Sequence, residues 1–138
     1  MAVKYEIAKD IQEMLDDVLD VMAWRHLTSQ RIICVRSRGA KSKAYARIWA
    51  FPKVWQVALD LSAPFYVIEF LSENFDSLSE KNKIKTIIHE ILHIPKSFGG
   101  GLLGHRQGRI NPLSEEKIFN EYKRKGRLFY AAGQKPLH

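Results

Sequence analysis

HEILHIPKSFGGGLLGH, running from His89 to His105, is the stretch on which the reading of this chain turns. In a helix, residues four apart lie one turn above each other on the same face, so His89 and His93 can aim both imidazoles at one metal ion. Glu90 falls about 100° round the helix, close enough to reach a water on that ion and poorly placed to ligate it. Neutral nitrogens that hold zinc, an open position that admits water and an adjacent carboxylate that takes its proton are what hydrolysis at a zinc site requires. The bland alternative is a chance match on a solvated helix. The helical wheel argues against it: Ile84, Ile87, Ile88, Ile91, Leu92 and Ile94 cover one broad arc, and Asn82, Lys85, Thr86, His89 and His93 fall opposite. The two histidines therefore face away from the core stripe, into whatever cleft the other elements build.

A third ligand has two kinds of candidate. His105 follows through a loop containing Gly99, Gly100, Gly101 and Gly104. Pro95 favours ending the helix near Ile94, because the residue before proline is pushed out of the α region, and the glycines let the backbone double back with positive φ. The rival is a carboxylate on the next helix, Glu115, Glu116 or Glu121.

At 138 residues, 46% of them hydrophobic and without a low-complexity tract, the chain suits one core and is too short for two. One domain over 1–138 is expected, with 131–138 as a fraying tail and His138 outside the site. No run approaches eighteen apolar residues, and Lys4, Glu6, Lys9 and Asp10 interrupt the first ten, so neither a membrane span nor a secretory signal is expected. The lone Cys34 lies in an apolar run like a small buried hydrophobe, which excludes a disulfide framework and points to a reducing cytoplasm. The net charge of +7 gathers at Arg31, Arg36, Arg38, Lys41, Lys43 and Arg47, then at Arg106, Arg109 and the run Lys123, Arg124, Lys125, Arg127. Such patches suit nucleic acid or an acidic surface, and equally a solvated positive face.

From Val3 to Trp24, Ile7, Ile11, Met14, Leu15, Val18, Leu19 and Met22 recur at helical spacing, with the methionines in the core stripe. His26 follows the helix as a surface residue. Arg31 to Arg36 and Ala44 to Ala50 read as two strands of a hairpin, and Val54 to Leu59 fits a short helix or a strand. Phe65 to Phe70 reads as a third strand, and Pro64 beside it suits a sheet edge. Ser77 and Glu80 form a capping box for the motif helix. Asn111 and Pro112 open a last helix, with Glu115 and Glu116 near its positive end and Gly126 weakening it later. The class is α+β: an N-terminal helix, a small three- to four-stranded sheet with an edge strand beside the HExxH helix, and a C-terminal helix.

That order of elements is similar to minimal zincin-type metallopeptidase domains. More closely, HEILHIP with the downstream Phe98, glycines and His105 resembles the small HExxH metallopeptidases of archaea and phages, and more broadly SprT-like proteases. The likeness spans roughly Arg31 to His105. It implies a zincin-like domain in which His89, His93 and His105 hold Zn²⁺ and Glu90 is the catalytic base. The metzincin pattern is not met, since its third histidine follows a shorter loop with one glycine.

Two functions follow. One is a zinc endopeptidase: a metal-activated water attacks the peptide carbonyl, and Glu90 takes its proton and passes one to the leaving amine. If Phe65 to Phe70 is the sheet edge, an extended or unfolded protein segment can pair with it, which implies broad specificity. Arg106, Arg109, Tyr122 and Tyr130 are candidates for stabilising the oxyanion. The other function is a basic nucleic-acid-associated module with a mainly structural zinc. Glu90 favours the first, because a structural site has no use for a carboxylate beside an open metal position. SprT-like proteins combine the two by acting on proteins attached to DNA.

Overall fold

The computed structural model describes residues 2–105 and 110–131, with side chains to residue 128. The helix read from Val3 begins later, as α1 (Lys9–Met22), and the residues before it form strand β1 (Lys4–Ile7). Tyr5 and Ile7 fit a helical spacing but suit a strand as well, and a partner strand decides. β1 runs antiparallel to β2 (Ile32–Arg38), with Lys4 opposite Arg38 and Ile7 opposite Val35. Glu6 accepts from Arg38 at 3.1 Å across this pair. The break falls at the buried Ala8, whose N–H donates to the Cys34 carbonyl at 3.1 Å. Beyond it the stripe behaves as read: Ile11, Leu15, Val18, Leu19 and Met22 are buried, with Met14 packed against them, and His26 is exposed.

The expected hairpin does not form. β3 (Ala46–Trp49) pairs antiparallel with β4 (Tyr66–Leu71), and β4 lies between it and β2, giving the order β1-β2-β4-β3 with β2 and β4 parallel. β2 already has β1 on one side and β4 on the other. The connection after Gly39 is also too long for a tight turn; Asn74 in α3 (Ser72–Phe75) donates to the Ser42 and Ala44 carbonyls and holds it away from β2.

The strand Phe65 to Phe70 is therefore not an edge. β4 is internal, and Tyr66, Ile68, Glu69, Phe70 and Leu71 are all buried, as a strand flanked on both sides requires. Pro64 precedes the first paired residue, where its missing donor costs no ladder bond. The edge beside the motif helix is β3. The outermost interstrand bond there runs from Leu71 N–H to Tyr45 O at 3.0 Å, and antiparallel pairs alternate between bonded and non-bonded. In the register Ala46–Phe70 and Ile48–Ile68, the backbone groups of Ala46 and Ile48 consequently point outward, away from the sheet.

The ambiguous Val54 to Leu59 falls on a short helix, α2 (Lys53–Ala58). The motif helix α4 (Glu80–Ile91) is capped by Ser79, whose hydroxyl accepts from Asn82 N–H at 3.2 Å, rather than by Ser77. Asn111 caps α5 (Pro112–Ala131) as expected, accepting from Ser114 N–H at 2.9 Å, and α5 continues through Gly126. The tail read from 131 onward lies, past Ala131, outside the described residues. α1 and α4 bury their stripes on the core face of the sheet against Ile32, Cys34, Ile68 and Phe70, and α5 packs on both helices. Cys34 is a buried free thiol. Among the described residues no helix is long and apolar enough to cross a membrane.

Because every N–H of an internal strand faces one neighbour or the other, Val67→Pro deletes a ladder bond, leaves its buried acceptor unpaired at a cost of about 1–3 kcal/mol, and should lower the midpoint of urea denaturation.

Candidate metal centre

Regular helix ends at Ile91, and Leu92 caps it. The chain then tightens: His93 N–H donates to Glu90 O at 3.1 Å and Ile94 N–H to Ile91 O at 2.9 Å, a three-residue closure that Pro95 makes final. His89 thus comes from the last turn of α4 and His93 from the turn that closes it. The loop that follows reverses at Phe98 (φ 52°) and Gly100 (φ 105°). Glycine takes such a φ freely. Phe98 pays for it by burying its ring edge-on to Tyr66, with centroids 5.0 Å apart. The Tyr66 hydroxyl accepts from Gly100 N–H at 2.8 Å and donates to Gly101 O at 3.0 Å, which pins the loop to the central strand.

The loop then returns to its origin. Leu103 N–H donates to His93 O at 2.7 Å, and His93 Nδ1 lies 2.6 Å from Leu103 O. Two residues later His105 Nε2 stands 3.2 Å from His89 Nε2, and the three imidazole centroids are 4.9 to 5.2 Å apart. Each ring offers a nitrogen, all within 4.8 Å of one another. Tetrahedral zinc at about 2.0–2.1 Å from each nitrogen sets its ligands roughly 3.4 Å apart, so this donor set fits the ion with small side-chain adjustments. His89 and His93 are half-buried and His105 is exposed, so one side of the cluster is open to water. Burial lowers the His93 pKa, which favours the neutral ring that a metal needs.

The rival carboxylates stand apart from this cluster. Glu115 Oε2 is 2.7 Å from His89 Nδ1, on the far side of the ring; Glu116 pairs with Lys81 at 3.2 Å, and Glu121 with Lys125 at 4.0 Å. Glu90 is 4% exposed, and its Oε2 lies 4.0 Å from His89 Nε2. Burial pushes its carboxyl up to about 7; His89 opposes the shift and Glu115 adds to it. In front opens a cleft of about 440 Å³ lined by Tyr45 and Ala46 beside the edge strand, Asn82 and Lys85 of α4, His89 and Glu90.

Sequence reasoning missed Tyr66, Leu103 O and the contact of Glu115 with His89. Nothing in the spacing marks a strand tyrosine or a leucine carbonyl as part of a site, although the acidic first turn of α5 was visible. Among the oxyanion candidates, Tyr122 donates to Asp17 of α1, while Arg106, Arg109 and the Tyr130 side chain lie outside the described residues. In the first basic group, Arg36 pairs with Asp10 and Asp76, Arg38 with Glu6, and Arg47 with Glu69, and Arg31 donates to Ala63 O. Tyr66→Phe should leave the Gly100 N–H and Gly101 C=O without their shared partner, cost about 1–3 kcal/mol and weaken zinc binding, as thermal denaturation and chelator competition would measure.

No curated protein and no solved structure matches this chain. The family model described as "Putative phage metallopeptidase" matches residues 3–115, from β1 to the first turn of α5, and takes in all three histidines and Glu90. Such a family implies a metal and a hydrolase, in keeping with the histidine cluster. With most of its length covered by that match, the chain belongs to this phage metallopeptidase family.

Proposed function

We propose that the protein is a zinc endopeptidase in which His89, His93 and His105 hold the ion and Glu90 is the general base. The observation that carries this reading is the convergence of three imidazole nitrogens within 4.8 Å beside a carboxylate that is 4% exposed. Zinc bound there would polarise the substrate carbonyl and bring the pKa of water from 15.7 to about 7. Glu90 takes one proton from the attacking water and delivers it to the amide nitrogen as the C–N bond breaks, leaving a carboxylic acid and an amine. Its burial raises its affinity for that proton, which matches a base working near neutral pH. The open face at His105 admits water and substrate.

Substrate docking moves from the internal β4 to β3. The outward N–H and C=O groups of Ala46 and Ile48 can pair with an extended segment, and Ala46 lines the cleft that holds His89 and Glu90. Backbone pairing reads no particular side chain, so broad specificity for unfolded or extended protein segments follows. The surroundings fit a reducing cytoplasm, where the buried Cys34 stays a thiol. A structural zinc in a nucleic-acid module has less support. It leaves the buried Glu90 unused, and Arg36, Arg38 and Arg47 already spend their charge within the chain.

Glu90→Gln keeps the shape but cannot accept the proton. Its zinc content should equal that of the wild type, while cleavage of an unfolded protein substrate falls about 10²- to 10⁴-fold; near-normal cleavage would remove Glu90 as the base, and loss of zinc would make it a ligand. Ala46→Pro deletes one outward donor at the first residue of an edge strand, where proline removes no ladder bond. It should lower cleavage of extended peptides with zinc content and melting temperature close to wild type, and unchanged cleavage would place the substrate elsewhere.

A further inference from the structure

A neutral imidazole carries one N–H, and which nitrogen bears it decides which lone pair faces a metal. For His89 the geometry settles the question from outside α4. Its Nδ1 is 2.7 Å from Glu115 Oε2, and its Nε2 is the atom 3.2 Å from His105 Nε2. A carboxylate only accepts, so the proton belongs on Nδ1 and the Nε2 lone pair points into the cluster. The Leu103 carbonyl does the same for His93, whose Nδ1 it meets at 2.6 Å.

Glu115 is held firmly enough for this task. It sits in the first turn of α5, its own N–H donating to Asn111 O at 3.0 Å, and the Asn111 side chain caps the same turn. The next residue, Glu116, pairs with Lys81 at 3.2 Å and Lys85 at 3.9 Å, both on α4 upstream of His89. The Glu115 side chain is 14% exposed and that of His89 30%, so water competes weakly for the contact. α5 is thus fastened to the motif helix by two adjacent carboxylates, one on lysines and one on a ligand ring.

We propose that Glu115 is a positioning residue for the metal site: its carboxylate fixes the tautomer and orientation of His89, and through that contact sets metal affinity. This rests on the zinc reading of the three histidines. Glu115 touches neither substrate nor metal in this role; it acts through the ring it holds.

The test measures zinc affinity by competition with a chromophoric chelator, and the visible spectrum of the Co²⁺-loaded protein, for Glu115→Ala, Glu115→Gln and Glu116→Ala in the full chain. Glu115→Ala should weaken zinc about 10- to 100-fold, with the Co²⁺ band shape of the wild type once saturated. Glu115→Gln should recover most of the loss, because its amide oxygen still accepts from Nδ1–H, and it keeps the test open if the alanine variant unfolds. Glu116→Ala, which loosens the helix without touching His89, should stay within about threefold of wild type, well short of the 10-fold loss. Equal affinity in wild type and Glu115→Ala would overturn the proposal. So would an equal loss in Glu116→Ala, which would reduce Glu115 to general helix docking, or an altered Co²⁺ spectrum in Glu115→Gln, which would make Glu115 a direct ligand. If the wild type binds no zinc, or His105→Ala binds it as well as wild type, the zinc reading itself fails and the proposal falls with it, a result seen before any Glu115 variant is made.

Discussion

The site depends on a reciprocal pair of hydrogen bonds: Leu103 N–H to His93 O, and the His93 ring to Leu103 O. Each is worth about 1 kcal/mol net, yet together they decide where His105 goes. Without them the end of the loop beyond Gly101 would sample a larger volume, and more of the entropy of closing it would fall on a bound metal. The loop's other supports act in the same sense. Phe98 drops its ring onto Tyr66, and the Tyr66 hydroxyl bridges Gly100 and Gly101. Through Tyr66 the loop is braced against β4, the most enclosed strand of the sheet, so His105, on an irregular segment, inherits the rigidity of the core.

The sequence carried the site further than it carried the sheet. The convergence of His89 and His93 was legible because helical periodicity is a local rule and the wheel placed both off the apolar stripe, whereas Glu90 was legible only as the carboxylate about 100° further round. His105 was legible because the glycines signalled a reversal, although Phe98 does part of that work at a φ where a phenylalanine is not expected. Glu115 was visible as a carboxylate near the site. Whether it would meet the metal or the back of a ring turns on the width of one imidazole, and no spacing rule resolves that distance. Strand pairing is non-local and was misread. Arg31 to Arg36 and Ala44 to Ala50 look like hairpin partners because neighbours in sequence usually pair, and nothing within either segment reveals that β4 will separate them. The run of β4, apolar but for Glu69, is the sequence signal of an internal strand, and Pro64, outside the paired residues, does not oppose it.

Glu69 shows why the sheet holds together at its exposed end. It is fully buried on β4 and receives two hydrogen bonds from Arg47 and one from Trp49, at 3.0, 3.1 and 2.9 Å. Burial alone would raise its carboxyl, and polar contacts, first those of Arg47 and then those of Ser37 and Trp49, together with the Arg47 charge, hold it below its ordinary value. A short edge strand of four residues is thereby clamped to its neighbour by charge as well as by the ladder.

The position of β4 between β2 and β3 also bears on how the chain reaches this state. A strand that must enter between two earlier ones cannot pair until the polypeptide has emerged at least as far as Leu71, and its parallel partner is separated from it by the whole of β3 and α2. Contacts of such long sequence separation form late and slowly. The three histidines, by contrast, lie within one short stretch, and local segments order quickly. The loop that presents His105 nevertheless leans on Tyr66, so its final geometry waits for the sheet. All four strands precede His89 in the chain, so during synthesis the sheet can begin to pair before the histidines emerge, and the loop that carries His105 docks onto a strand that was made first.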